Sequence, residues 1–149
     1  MVKSSTMETL ISLAAEEVEK AAVVLGHTIR AGAEAEQKLT LLLQYREDYM
    51  GRFDENRKTG LSARDYQNYH NFIDKLDEAI SGQQKVVQQA QERIDAAKAA
   101  WQECEKKRAS YETLQKRTEV REMKKASKRE QKEADEFNSR KARMAKLKR

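Results

Sequence analysis

The side chains that could carry out chemistry are few and far apart in this sequence. His27 and His70 fall on different predicted helices, at positions c and e of the heptads described below, which face solvent. Cys104 is the only cysteine, so it forms neither an intrachain disulfide nor a CxxC pair, and no histidine stands beside it to activate a thiolate. No GxxxxGK[ST] or GxGxxG stretch is present to hold a phosphate. We therefore predict a protein that is not an enzyme and that binds no cofactor or metal.

The composition favours long helices over a compact globule. The chain of 149 residues has no proline and five glycines, and its hydrophobic residues (38%) barely outnumber its charged ones (37%). Such a sequence is too polar for an ordinary globular core, and nothing in it interrupts a long helix. The longest uncharged run, residues 21–29, has nine residues, whereas a membrane span needs about 20. We expect a soluble protein, and the single cysteine is typical of the reducing cytoplasm.

The positive charge is concentrated at the C-terminal end. Residues 116–149 contain 14 Lys or Arg and 6 Asp or Glu, a net charge of +8, while the rest of the chain has 16 basic and 19 acidic residues, a net of −3. Interspersed acids such as Glu130 and Asp135 are typical of a solvated charged helix. Docking on an acidic protein surface is a second interpretation. Nucleic-acid binding is a third, with less support because Phe137 is the only aromatic residue of this segment.

One turn organises the elements that must position these side chains. Gly60 can take the left-handed conformation that ends a helix, and Ser62 with Asp65 makes a helix start signal of the S-x-x-D type. We predict an all-α fold, a long two-helix antiparallel coiled-coil hairpin over residues 1–115, with helices at about 5–58 and from about 62 and a turn at 59–61. A basic C-terminal extension, helical or partly disordered, is predicted over residues 116–149.

Each predicted helix carries a sustained heptad seam of apolar residues. In the first helix, eleven of the fourteen a and d positions between Met7 and Phe53 are apolar, and in the second, twelve of the fourteen between Tyr66 and Tyr111. Antiparallel pairing sets a against d, and the turn near Gly60 selects a register in which facing residue numbers add to 122. The predicted pairs include Phe53 with Tyr69, Gly32 with Ala90, Ala21 with Trp101, and Ile11 with Tyr111.

Two arginines interrupt the seams. Arg46 and Arg108 occupy a positions opposite Leu76 and Ala14. The favoured interpretation is that they set the register while their charged heads reach solvent, and a functional role is the alternative.

Aromatic and small residues also gather outside the seams, near the turn. Tyr45 and Phe72 fall at g positions, and the g edges of an antiparallel pair meet on one side. This predicts an apolar stripe that either broadens the core or docks another protein. Its members are Leu42, Tyr45, Tyr49, Phe72, Leu76 and Ala79.

Taken together, the residues resemble those of the FliJ family, the small soluble coiled-coil component of the flagellar type III export apparatus. The resemblance covers nearly the whole chain and includes matches outside the seams. It is carried by Glu8-Thr9-Leu10, Leu13-Ala14, Leu25-Gly26, residues 39–45, Tyr49, Asn68-Tyr69, Phe72-Ile73, Leu76, Ala79-Ile80, Trp101, Thr113-Leu114-Gln115, Asp135-Glu136-Phe137 and Arg140.

The resemblance implies a non-enzymatic coupling role in flagellar export, at the cytoplasmic side of the inner-membrane export apparatus. Its implied partners are the hexameric export ATPase, the cytoplasmic domain of the export gate FlhA, and export chaperones. The family's gate-binding stripe maps onto the six stripe residues above, while Lys38 and Gln83 at its borders depart from the Gln and His of the family.

The expected ATPase contact lies at the end of the hairpin away from the turn, where the basic extension begins. An acidic lining of the ATPase pore would attract this end. The residues assigned to this contact are Met7, Tyr111, Lys124, Lys125, Lys128 and Arg129. A coiled-coil tether with a nucleic-acid-binding tail is the alternative function.

Overall fold

The structure, a computed structural model, describes residues 4–148 and contains two α-helices and no strand in that range. Helix α1 spans Ser4–Lys58 and helix α2 spans Ala63–Leu147. The predicted all-α helical hairpin is confirmed. The predicted segments 1–115 and 116–149 also include residues 1–3 and 149, which lie outside the described residues, and the boundary between them stays a prediction. Neither helix, as far as the structure describes it, is long and apolar enough to cross a membrane.

The turn between the helices is built as the sequence predicts. Gly60 has a φ of +94°, the left-handed region that costs glycine no steric strain. The backbone N–H of Gly60 donates to the carbonyl of Arg57 over 3.4 Å, which satisfies one of the last carbonyls of α1. At the start of α2, the backbone N–H of Asp65 donates to Oγ of Ser62 over 3.2 Å. Ser62 is therefore the N-cap of α2.

The chain divides into two compact units, one of Met1–Glu16 with Glu105–Arg149 and one of Glu17–Cys104. The second unit contains the turn and most of the predicted seam. Within it the seam positions are buried or half-buried, except for Tyr66, whose side chain is 48% exposed. Each fully buried Leu or Ile side chain contributes about 1.5–3 kcal/mol. The most buried seam residues here are Val18, Ala35, Ile73, Leu76, Ile80 and Ala97.

Contacts between the helices of this unit agree with the predicted register. The rings of Phe53 and Tyr69 stack with their centroids 3.6 Å apart, which confirms that predicted pair. Gly32 is buried, and the space beside it is filled by Ile94, one helical turn beyond the predicted partner Ala90. The closest neighbour of Gly32 is thus a long side chain from the next turn, which reaches across the gap that glycine leaves.

In the other unit, the burial of side chains ends where the apolar heptad repeat of the sequence ends. Met7 is 8% exposed and Ala14 is 2% exposed, while Tyr111 and Gln115 are half-buried. After Thr118, every described residue of α2 is exposed. This part of α2 is nonetheless a continuous helix to Leu147, in keeping with a sequence rich in helix formers.

Candidate functional site

A ladder of aromatic rings follows one edge of the Glu17–Cys104 unit, next to the turn. Tyr45 on α1 meets Phe72 on α2 edge to face, with their ring centroids 6.0 Å apart. Phe72 also packs on Tyr49 at 4.4 Å, and Tyr49 stacks on Tyr69 at 5.5 Å. Since Tyr45 and Phe72 both occupy g positions, their contact shows that the g edges of the two helices meet, as predicted.

The six residues of the predicted stripe differ in how much of each side chain is accessible. Tyr45 is 53% exposed and Ala79 is also exposed, whereas Leu76 is 7% exposed and belongs to the core. Phe72 is more shielded than its g position predicts, because its ring packs on Tyr49. A partner can thus reach Tyr45 and Ala79 directly, and the buried members support them from below. The half-buried members are Leu42, Tyr49 and Phe72.

A shallow groove of about 490 Å³ adjoins Tyr45 and brings both predicted border residues into the site. Its lining is mostly apolar, and its polar groups belong to Lys38, Gln83 and the hydroxyl of Tyr45. One member, Leu41, was not predicted, although it is 57% exposed. Its c position beside the stripe is the signal that could have identified it. The residues that line the groove are Lys38, Leu41, Leu42, Tyr45 and Gln83.

Gln83, at the edge of this groove, connects the two helices by a hydrogen bond. Its Nε2 donates a hydrogen bond to the backbone carbonyl of Ala35 over 2.9 Å, in a partly buried position. A polar group in the seam needs such a partner, and a specific partner discourages slippage of one helix along the other. The stripe is therefore held in register by a polar contact as well as by apolar packing.

The arginines of the seam direct their charged groups to acidic neighbours. Nε of Arg46 lies 2.6 Å from Oδ1 of Asp77 on the other helix, and the hydrogen bond and charge of Asp77 raise the pKa of Arg46. In the other unit, Nη2 of Arg108 lies 2.7 Å from the Glu105 carboxylate, and its Nε, buried and without a hydrogen bond among the described residues, is 3.9 Å from Glu112. Arg46 pairs across the two helices, whereas Arg108 pairs within α2 and keeps its Nε buried, and the role of both in setting the register stays a prediction.

Tyr69, one of the stacked aromatic residues, has a raised pKa. Burial of its hydroxyl raises the pKa of Tyr69, and the negative charge of Asp54 raises it further. Both effects disfavour the phenolate, so the ladder keeps a neutral ring at this position.

The residues predicted to contact the ATPase separate into packing residues and exposed charges. Met7 is buried and Tyr111 is half-buried, so both support the fold of their unit. The four basic residues are exposed on α2: Lys124, Lys125, Lys128 and Arg129. Residues not predicted extend this surface toward the start of the segment, where a groove of about 430 Å³ surrounds the 52% exposed Val120. Its other lining residues are Thr113, Lys116, Arg117, Arg121 and Lys124.

The three residues with reactive side chains stay apart in the structure. His27 is exposed, and His70 packs edge to face on Tyr66 with the ring centroids 4.6 Å apart. Cys104 is a half-buried free thiol. Within residues 4–148, no group of three or more His, Cys, Asp or Glu is placed to hold a metal ion. The surfaces suited to recognition are the apolar stripe and the basic segment.

Comparisons with known proteins agree with the resemblance seen in the sequence. A family model described as FliJ, Flagellar FliJ protein, matches residues 3–146. The Flagellar FliJ protein of Escherichia coli (strain K12) is 30% identical over 142 residues, which cover 95% of this chain and 97% of that protein. The Flagellar FliJ protein of Salmonella typhi shows the same identity and coverage.

Proposed function

Because this chain belongs to the FliJ family of flagellar proteins, we propose that it is a non-enzymatic coupling component of flagellar type III protein export. In this role it links the hexameric export ATPase to the cytoplasmic domain of the export gate FlhA and to export chaperones, at the cytoplasmic face of the inner membrane. The observation that supports the proposal is an exposed apolar edge in the Glu17–Cys104 unit and an exposed basic helix segment after Thr118.

The apolar stripe is the surface for the export gate. Tyr45 offers a large exposed ring whose position is set by Phe72 at 6.0 Å, and a groove lined by Leu41 and Gln83 lies beside it. A ring that is already ordered loses little conformational entropy on binding, and aromatic residues of this kind dominate binding energy at protein interfaces. Contacts from a partner to Tyr45, Leu41 and Ala79 account for specificity without any rearrangement of the two helices.

The basic segment is the surface for the ATPase. Residues 116–149 carry a net charge of +8, and every described residue after Thr118 is exposed. A concentration of positive charge accelerates encounter with an acidic surface and loses this effect as salt increases. We assign the ATPase contact to the exposed Lys124, Lys125, Lys128 and Arg129, with Met7 and Tyr111 in a supporting role.

Tyr45→Ala tests the gate surface. Loss of an exposed interface ring costs about 1–3 kcal/mol, so affinity for the purified FlhA cytoplasmic domain should fall about 5-fold to 150-fold in calorimetry. Val23→Ala is the matched control, because Val23 is 55% exposed on the outer side of α1, away from the stripe. Tyr45→Ala is a cleaner test than the double variant with Phe72→Ala, because loss of the Phe72 ring also removes its packing on Tyr49.

Reversal of the four basic residues to glutamate tests the ATPase surface. Association with the ATPase and stimulation of its hydrolysis should fall, most strongly at low salt, while gate binding persists. Truncation after Gln115 should have the same effect. The control reverses four exposed basic residues on the outer sides of the helices: Arg30, Lys58, Arg64 and Lys85. If the test variants stimulate ATP hydrolysis as strongly as the parent chain, the assignment is wrong. If the parent chain is retained on duplex DNA and the truncated chain is not, the alternative function, a nucleic-acid tether, is favoured.

A further inference from the structure

One face of the Glu17–Cys104 unit is acidic and is used by neither proposed surface. It consists of the e and b positions of both helices. The ion pair between Arg46, at an a position of α1, and Asp77, at an e position of α2, brings the guanidinium of Arg46 to this face as well. Between residues 19 and 102 these positions hold seven acidic and two basic residues, Arg57 and Lys98, and with the guanidinium of Arg46 the net charge of the face is −4. The acidic members are all exposed: Glu19, Glu36, Glu47, Asp54, Asp74, Asp77 and Asp95.

This acidic face also exposes apolar side chains. Leu43 is 46% exposed, Met50 is 37% exposed and Ile29 is 51% exposed. Leu43, Met50 and Gly51 line a shallow groove of about 500 Å³ whose charged lining residues are Glu47, Asp54 and Arg46. Exposed ion pairs contribute only about 0–1 kcal/mol each, so a stable contact on this face needs apolar burial as well as charge. The groove supplies the apolar part.

Another part of the same chain carries the complementary features. Residues 116–132 of α2 contain eight basic and three acidic side chains, a net charge of +5. All of them except the half-buried Thr118 are exposed, including Val120 (52%) and Met123 (73%). Seventeen helical residues extend about 25 Å, and the α1 portion of the acidic face from Glu36 to Asp54 extends about 27 Å.

We propose that the basic helix segment 116–132 of one copy docks on the acidic face of a second copy of this chain. The second copy is the occupant because one chain supplies two exposed helical surfaces of opposite charge, matched length and partly apolar character. Contact between unlike surfaces joins copies head to tail, and the interface is heterologous. Val120 and Met123 lie against Leu43 and Met50 of the neighbouring copy, with basic side chains beside the acidic rim.

Sedimentation velocity of the full-length chain alone tests the proposal. The monomer has a mass of 17.2 kDa, so the weight-average mass should rise above this value with increasing concentration at low salt. Added salt screens the charges, and the dissociation constant should increase about tenfold or more between low and high ionic strength. A mass that stays at 17.2 kDa at every concentration, or self-association that is indifferent to salt, would overturn the proposal.

Charge exchange between two variants identifies the surfaces. The tail variant carries Lys124→Glu, Lys125→Glu and Lys128→Glu, and the face variant carries Glu47→Lys, Asp54→Lys and Asp74→Lys. Each variant alone should remain monomeric, because its two surfaces then have like charge. An equimolar mixture should associate again, because the unchanged basic segment of the face variant can bind the unchanged acidic face of the tail variant.

The control for both variants is Glu78→Lys with Glu92→Lys, which changes the charge on the outer side of α2 and should leave self-association in place. Circular dichroism of each variant verifies that the helices are retained. A mixture of the two charge variants that stays monomeric, or a control that abolishes association, would show that the acidic face and the basic segment do not bind each other. The measurement involves no ATPase or export gate, so its outcome is independent of the proposed function.

Discussion

Replacement of Gly32 by alanine tests how the two helices pack at one defined point. Gly32 is buried in α1, and a Cβ atom added there would lie 2.7 Å from Cδ1 of Ile94 in α2. Alanine gains about 1 kcal/mol over glycine in helix propensity. Displacement of a side chain in a packed core costs about 1–3 kcal/mol. The free energy of unfolding should therefore stay nearly unchanged or fall by about 2 kcal/mol.

Gly82→Ala is the matched control, because Gly82 is exposed within α2 and an added Cβ would meet nothing within 4 Å. That variant should gain about 1 kcal/mol from helix propensity alone. The two alanine variants should thus differ by about 1–3 kcal/mol in free energy of unfolding. Ile94→Val removes Cδ1 and alone costs about 0.5–1.5 kcal/mol. Combined with Gly32→Ala, it should show a favourable coupling of about 1–2 kcal/mol.

Urea unfolding of the four variants and the parent chain, followed by far-UV circular dichroism, measures these differences. Additive effects of Gly32→Ala and Ile94→Val would show that Ile94 does not fill the space beside Gly32. Equal stabilisation by Gly32→Ala and Gly82→Ala would refute the close approach itself, because both substitutions would then report helix propensity only.

Three further predictions test the turn, the ladder and the register. Ser62→Ala should lower the free energy of unfolding by about 1 kcal/mol and Ser62→Asp should not, as measured by urea unfolding, because only the former loses the N-cap of α2. Since the pKa of Tyr69 is raised by folding, its contribution to stability is present below the ordinary tyrosine pKa of about 10 and is lost as pH rises through the folded value. Tyr69→Phe should therefore unfold less readily in alkali than the parent chain, in thermal melts recorded across this pH range. Cysteines introduced at Ala21 and Trp101 should crosslink within one chain, and crosslinks found only between chains on a denaturing gel would contradict the predicted register.

The sequence alone predicted the features that depend on periodicity and on local backbone chemistry. A seam repeated every 3.5 residues must be buried against another seam, so both helices and their antiparallel pairing follow from the apolar pattern. Gly60 and Ser62 determine where one helix ends and the next begins, because a left-handed residue and an N-cap act within a few residues. The pairing of Phe53 with Tyr69 followed from the position of the turn.

The sequence also located the edge that holds the apolar stripe, but not the accessibility of its members. Heptad letters give the direction of a side chain from its own helix, and accessibility depends on the size and conformation of the residues across the pair. Phe72 is covered because its ring packs on Tyr49, whereas Tyr45 at an equivalent position stays 53% exposed. Leu41 was not predicted because a c position is ordinarily solvated, although this one adjoins the stripe, and the groove beside Tyr45 shows its place in the site.

Contacts between helical turns were decided by the tertiary structure alone. The predicted register places Ala90 opposite Gly32. A long side chain, however, extends along the helix axis as well as away from it, and the side chain of Ile94 fills the space beside Gly32. Arg46 likewise reaches Asp77, on the acidic edge, in place of remaining over its seam partner. A heptad assignment treats each residue as a direction from an axis, whereas packing depends on where the end of each side chain lies, and this is determined only when both helices are present.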